Sequence, residues 1–174
     1  MSSLASGIIV IASFLLASAI MFGTFLTVST TQSQSLKDLG KTNKEKIGSS
    51  ISITSAIVSA AVAGVSTDLT LEVNNTGSQS VADFSEMDVI VQYTDSLDNL
   101  VQKYLTYSAS GYGDNEWTNP ITGVTPDTFN PRMWDPDETF TINLKLAPEV
   151  KSATSVLVVV ITPKAASDQT LISN

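Results

Sequence analysis

The first 36 residues contain no Asp, Glu, Lys or Arg, so all 9 basic and all 17 acidic residues lie at Lys37 or beyond. A chain divided this sharply is poorly described as one compact globule with evenly mixed surface and core. From Leu4 to Val28 the residues are apolar or small, and the large ones, among them Ile8, Ile11, Leu15, Phe22, Phe25 and Leu26, are spread around every helical face. A helix that is apolar all round is a buried one, in lipid or inside a bundle of its own kind. The stretch is also long enough for a bilayer, which needs about 20 such residues. Gly7 and Gly23 let neighbouring backbones approach closely, and the interspersed Ser and Thr hydroxyls can bond back to the carbonyl four residues earlier.

No proline occurs before Pro120, so nothing forces a kink, and the helical pattern continues to a break at Gly48-Ser49-Ser50. A helix of about 48 residues is roughly 70 Å long at 1.5 Å per residue, so its lower part must leave any membrane it enters. Lys37, Lys41 and Lys44 share one face of that lower part, with Glu45 four residues after Lys41. They form either a solvated face or a contact with acidic groups of neighbouring copies. The apolar stretch begins almost directly at Met1, without the basic region of a cleaved secretory signal. Met1 as a mature terminus left by leader removal and Met1 as an initiator both fit.

The net charge of -8 argues against nucleic acid, since phosphate binding needs clustered Lys and Arg. Cysteine and histidine are both absent, which removes disulfides, Cys/His zinc sites, thiol nucleophiles and the commonest general base near neutral pH. No glycine-rich phosphate loop or nucleophile elbow is present, no cofactor is expected, and the chain reads as a non-enzyme.

After Gly48 the period changes from helical to alternating. Leu69–Val73 and Phe140–Leu146 alternate apolar and polar residues, and 51–58, 87–93, 100–107 and 155–162 supply four more candidate strands. Turn signals separate them at 74–77, 95–99, 111–115 and 135–137. The predicted fold is α+β: a long apolar helix over 1–48 followed by an antiparallel immunoglobulin-like β-sandwich over 49–174. Asp135, Asp137 and Glu138 are candidate calcium ligands by chemistry, although their spacing is not that of an EF-hand loop; the alternative is a proline turn with Trp134 packed beneath it. Asn74-Asn75-Thr76 is a sequon on an expected turn, which makes Asn74 a candidate glycan acceptor. Glu86 and Asp88 are expected on one strand face as solvated carboxylates.

The uncharged helix, followed by Val73-Asn74-Asn75-Thr76-Gly77-Ser78, Met87-Asp88-Val89-Ile90-Val91 and Trp134-Asp135-Pro136-Asp137-Glu138-Thr139, resembles the archaellin superfamily. That superfamily comprises the archaeal rotating filament's subunits and related membrane-anchored accessory proteins. With Met1 as the mature terminus, Ala5 stands where bacterial type IV pilins usually carry glutamate, which resembles the archaeal branch. The resemblance implies a structural subunit of an extracellular filament, the archaellum, polymerising as a helical homo-oligomer through Leu4, Ile8, Ile11, Leu15, Phe22, Phe25 and Leu26. It further implies insertion in the cytoplasmic membrane before assembly, and a leader peptidase, an assembly ATPase and a platform protein as partners. The same build also serves an adhesive pilin or a membrane-anchored stator that grips the envelope.

Overall fold

The computed structural model describes residues 2–174, with side chains described for all of these except residues 2–6 and 45. Leu4, Ala5, Glu45 and the question of Met1 therefore lie outside the described side chains. The chain separates into two compact units, residues 1–44 and 45–174.

The first unit is helix α1, which the chain continues to residue 47 (Ser2–Ile47, 46 residues). Ser13, Thr27, Thr31 and Thr42 donate their hydroxyls to the carbonyls of Ile9, Gly23, Thr27 and Asp38, at 2.8–3.0 Å. Each hydroxyl is thereby satisfied within its own helix, and what the residue presents outward is largely aliphatic.

The second unit holds nine strands: β1 (Ile51–Val62), β2 (Ser66–Asn75), β3 (Asp88–Thr94), β4 (Leu100–Tyr107), β5 (Glu116–Thr118), β6 (Val124–Thr125), β7 (Thr139–Leu146), β8 (Ser155–Ile161) and β9 (Ser167–Ser173). They pair in the order β1-β2-β7-β5-β4-β3-β8-β9, with β6 on β7. The alternation read in the sequence is the burial pattern observed. Leu69, Leu71 and Val73 of β2 and Phe140, Ile142, Leu144 and Leu146 of β7 are fully buried. They join Val89, Val91 and Tyr93 of β3 and Val156, Val158 and Val160 of β8 in one cluster. Strands this far apart along the pairing path share a core only if the sheet folds over on itself into two layers. Its two ends also meet, because Ile53 N–H of β1 donates to Asp168 Oδ2 of β9 at 2.7 Å.

All pairings are antiparallel except β4–β5, where Thr106 lies beside Glu116 and Tyr107 beside Trp117. The loop between them turns the chain back with Gly111 at φ 120° and Asn115 at φ 58°, so β5 sets off in the direction β4 was already running. All six expected strands form. β5, β6 and β9 are additions, and β1 runs four residues beyond its expected end at Val58. Glu86 is a correction: it lies in a 3-10 turn (Phe84–Glu86) and not on a strand with Asp88. The turn starts at Asp83, whose Oδ1 accepts from Ser85 N–H at 3.0 Å and so competes with strand pairing there.

Candidate functional site

The largest exposed chemistry on the chain is the surface of α1. Every side chain described from Ile8 to Leu39 that is large and apolar is 48–74 % exposed, and this includes Ile8, Ile11, Leu15, Phe22, Phe25 and Leu26. A soluble helix exposes such residues singly, not around its whole circumference. Gly7–Lys44 is long and apolar enough to cross a membrane. Gly7, Gly23 and Gly40 have open space where a Cβ would stand, so another helix can come close at each. Up to Leu36 the sequence of α1 carries no ionisable side chain, and its described surface is suited to bind other apolar surface.

Asp135, Asp137 and Glu138 are not gathered into one cluster of ligands. Asp135 Oδ1 accepts from the Ser80 hydroxyl, and its Oδ2 accepts from Asn130 Nδ2 at 3.1 Å. Glu138 Oε2 accepts from Asp135 N–H at 2.9 Å and Oε1 from Thr128 N–H at 3.3 Å. Both carboxylates are buried and occupied in holding a turn, while Asp137 is exposed at φ 65°. Trp134 is fully buried beside this turn; its Nε1 donates to Glu138 O at 2.8 Å, and its ring stacks on Phe140 at 5.1 Å. Among the described residues no group of three or more potential ligands is gathered for a metal.

Asn74 lies near the end of β2 rather than on a turn, paired with Ser52 and Thr139. It is half-buried, and its Oδ1 has no hydrogen-bond partner. The turn is made by its neighbour. Asn75 is buried, accepts Gly77 N–H on Oδ1 at 3.1 Å, and donates Nδ2 to Gln79 O at 2.8 Å. Gly77 is pressed against residues 48–50: a Cβ there would stand 2.5 Å from Gly48 O and 2.6 Å from Ser50 N. Thr76 N–H donates to Ser50 O at 3.0 Å and Ser78 N–H to Gly48 O at 2.7 Å, so this turn grips the segment that leads into β1. The Asn-x-Gly spacing is the signal that could have found it.

Asp95 is a second structural carboxylate, at the head of the turn read at 95–99. Its Oδ1 accepts from Leu97 N–H and Asn99 N–H, both at 2.8 Å, closing the β3–β4 turn. The bonds from Asn99, backbone first and then side chain, hold the Asp95 carboxyl below the usual range. Burial, aided by the Asp95 charge, pushes the Tyr93 phenol up to about 12, and that hydroxyl donates to Pro148 O at 3.0 Å. Nucleophile, base and oxyanion donors are not brought together around any of these groups.

A family model for archaeal-type flagellin matches residues 2–170. Among solved structures, the archaeal flagellum of Methanospirillum hungatei strain JF1 is similar over 99 % of this chain and 93 % of that one, with 13 % identity and a TM-score of 0.65. The archaellum periplasmic stator protein FlaG from Sulfolobus acidocaldarius aligns with 71 % of this chain and 98 % of its own, at 14 % identity and a TM-score of 0.46. Archaeal flagellin FlaB1 from Methanocaldococcus jannaschii aligns with 72 % and 90 %, at 12 % identity and a TM-score of 0.46. No curated protein sequence matches the chain.

Proposed function

The chain belongs to the archaeal-type flagellin family, and from that membership we propose that it is the repeating structural subunit of an archaellum that drives swimming. Residues 1–48 act as the polymerisation helix and 49–174 as the outer domain. The observation that carries this reading is the apolar surface around the described length of α1, which a lone chain cannot keep in water. Before assembly the helix rests in the cytoplasmic membrane, and in the extracellular filament it is buried by identical helices. Burying each large aliphatic or aromatic side chain is worth roughly 1.5–3 kcal/mol, and a dozen per helix exceed the association cost of about 4–15 kcal/mol. A leader peptidase, an assembly ATPase and a platform protein complete the partners. The subunit works as a structural part and not as an enzyme. Asn74, on the outward face of β2, is the proposed acceptor of an N-linked sugar.

The test is electron microscopy of material sheared from cells expressing the chain, with mass spectrometry of its N-terminus and of Asn74. Long filaments with this chain as the main component are expected. Retention in the membrane fraction as a minor species would overturn the subunit reading and favour an anchor or stator. Adhesion without swimming by the filamented cells would place the chain among adhesive pilins.

A further inference from the structure

The two outward faces of the sandwich differ in kind. The face of β2 and β7 presents Asp68, Glu72 and Lys145 among Thr and Asn residues. The face of β4, β3, β8 and β9 presents Leu100, Tyr104, Ile90, Leu157, Val159 and Leu171. The register brings them side by side: Tyr104 opposes Ile90, Ile90 opposes Val159, and Leu157 opposes Leu171. Leu100, Tyr104 and Leu171 are 60–71 % exposed. Asp88 is the one charged residue at these outward strand positions, and the Tyr104 hydroxyl donates to it at 2.7 Å. β8 reads Val-Leu-Val-Val-Val-Ile over 156–161, the continuous apolar run of a strand covered on both sides, yet only its inner side is covered within the chain.

A second exposed apolar surface lies on β1 and the tip of its hairpin in the same unit. No charged residue occurs between Lys46 and Asp68, and β1 with the tip of its hairpin falls in this run, whereas β2 carries Asp68 and Glu72. From Ser59 to Val65 every residue is exposed, with Ile57, Val62 and Val65 each more than half so. A carboxylate of Glu149 accepts Gly64 N–H and holds the hairpin tip in place.

We propose that the β1–β2 hairpin of one copy packs on the outward β4-β3-β8-β9 face of the next copy. This rests on the reading of the chain as a filament subunit. Copies that each carry a charge of -8 repel one another across charged surface, so neighbours meet at least cost where charge is missing. β1 with its hairpin tip supplies one surface built from residues without charge, and the β4-β3-β8-β9 face, with Asp88 alone, supplies the other. A contact between unlike patches of identical subunits leaves one of each patch free and repeats, which generates an open helix, whereas a different protein would need only one of them. The outer domains thereby make a head-to-tail contact of their own, in addition to that of the helices.

The absence of cysteine from the chain makes the contact directly testable. Val62→Cys is combined in turn with Leu100→Cys, Leu157→Cys and Leu171→Cys, and sheared filaments are oxidised and run without reductant. At least one pair gives a ladder of covalent multimers, while each single variant gives no ladder. Filaments that assemble normally with no ladder from any pair overturn the proposal, as does equal cross-linking by Val62→Cys alone. Separately, Val62→Glu and Leu171→Lys each lower filament yield about tenfold or more by burying an unpaired charge, and combining them restores it. Unchanged yield from both single variants also overturns it. Absence of filaments from the unsubstituted chain defeats the subunit reading itself and is recognised by that control.

Discussion

Glu138→Ala separates a structural carboxylate from a metal ligand. The Glu138 side chain is 4 % exposed and accepts the N–H of Asp135, itself 5 % exposed. Alanine leaves that buried donor without a partner, at a cost of about 1–3 kcal/mol, and opens space for the lost methylenes, worth about 1 kcal/mol more. The Thr128 N–H belongs to an exposed residue and is regained by water, so it adds little. The expected loss is about 2–4 kcal/mol, a fall in Tm of roughly 6–12 °C for a domain of this size. The measurement is thermal unfolding of the full chain in detergent, followed by circular dichroism and by tryptophan fluorescence, with and without EDTA or calcium. Glu138→Gln keeps the shape and one carbonyl acceptor and loses about half as much. A fall below about 2 °C would refute the hydrogen-bond argument. So would an unsubstituted protein whose Tm drops on EDTA treatment by as much as Glu138→Ala lowers it, since a bound cation would then be the stabilising agent.

Asp95 is held below the usual carboxylate range by the Asn99 bonds, so its contribution is present above about pH 4 and is lost as pH falls through the depressed folded value. Asp95→Asn therefore narrows its Tm gap from the unsubstituted chain in an acid titration, and a gap constant from pH 7 to pH 2 would contradict this. Gly77→Ala sets a methyl group against Gly48 O and Ser50 N and forces backbone to move, costing roughly 1–3 kcal/mol in urea unfolding; an unchanged midpoint would contradict the close approach. Phe22→Asp places a charge in the middle of the apolar helix, at about 3 kcal/mol or over a hundredfold in membrane insertion. Loss of the chain from both membrane and filament fractions is expected, and normal yields would show that α1 is not buried in either.

The helix was legible because one property, the absence of charge, continues uninterrupted for 36 residues. β2 and β7 were legible because alternation there is the physical consequence of having one covered face. β9 was not: only Ile172 of its residues is buried, and Asp168 on its inward side serves β1 through a backbone bond that no periodicity announces. β5 is three residues long and is placed by Trp117, whose burial depends on β4 and β7 arriving on either side. The carboxylates at 135–138 read as possible ligands because sequence shows which charges are near each other but not which backbone donors the turn aims at them. The same blindness left the bonds accepted by Asp95 unread inside a turn that was expected, and put Asn74 on a turn that is in fact organised by Asn75.

The state of α1 sets what filament growth requires. Its described large apolar side chains lack cover within the chain, and its described Ser and Thr hydroxyls at 13, 27, 31 and 42 are already bonded to its own carbonyls. Lipid tails and neighbouring helices of the same kind therefore satisfy this surface nearly equally, because hydrocarbon is about as apolar as leucine. Relative to water either burial is worth tens of kcal/mol, at roughly 1.5–3 kcal/mol per large side chain; relative to each other the difference nearly vanishes. Moving a subunit from membrane to filament then has little intrinsic drive and needs work from outside, the role proposed above for an assembly ATPase. The expected outcome is that the detergent-solubilised chain at low concentration stays unassembled in light scattering, with nucleotide or without it, until the assembly machinery is added. Long filaments forming from the purified chain alone would show that helix packing is better than lipid by enough to drive growth, and the need for a motor in extraction would fall.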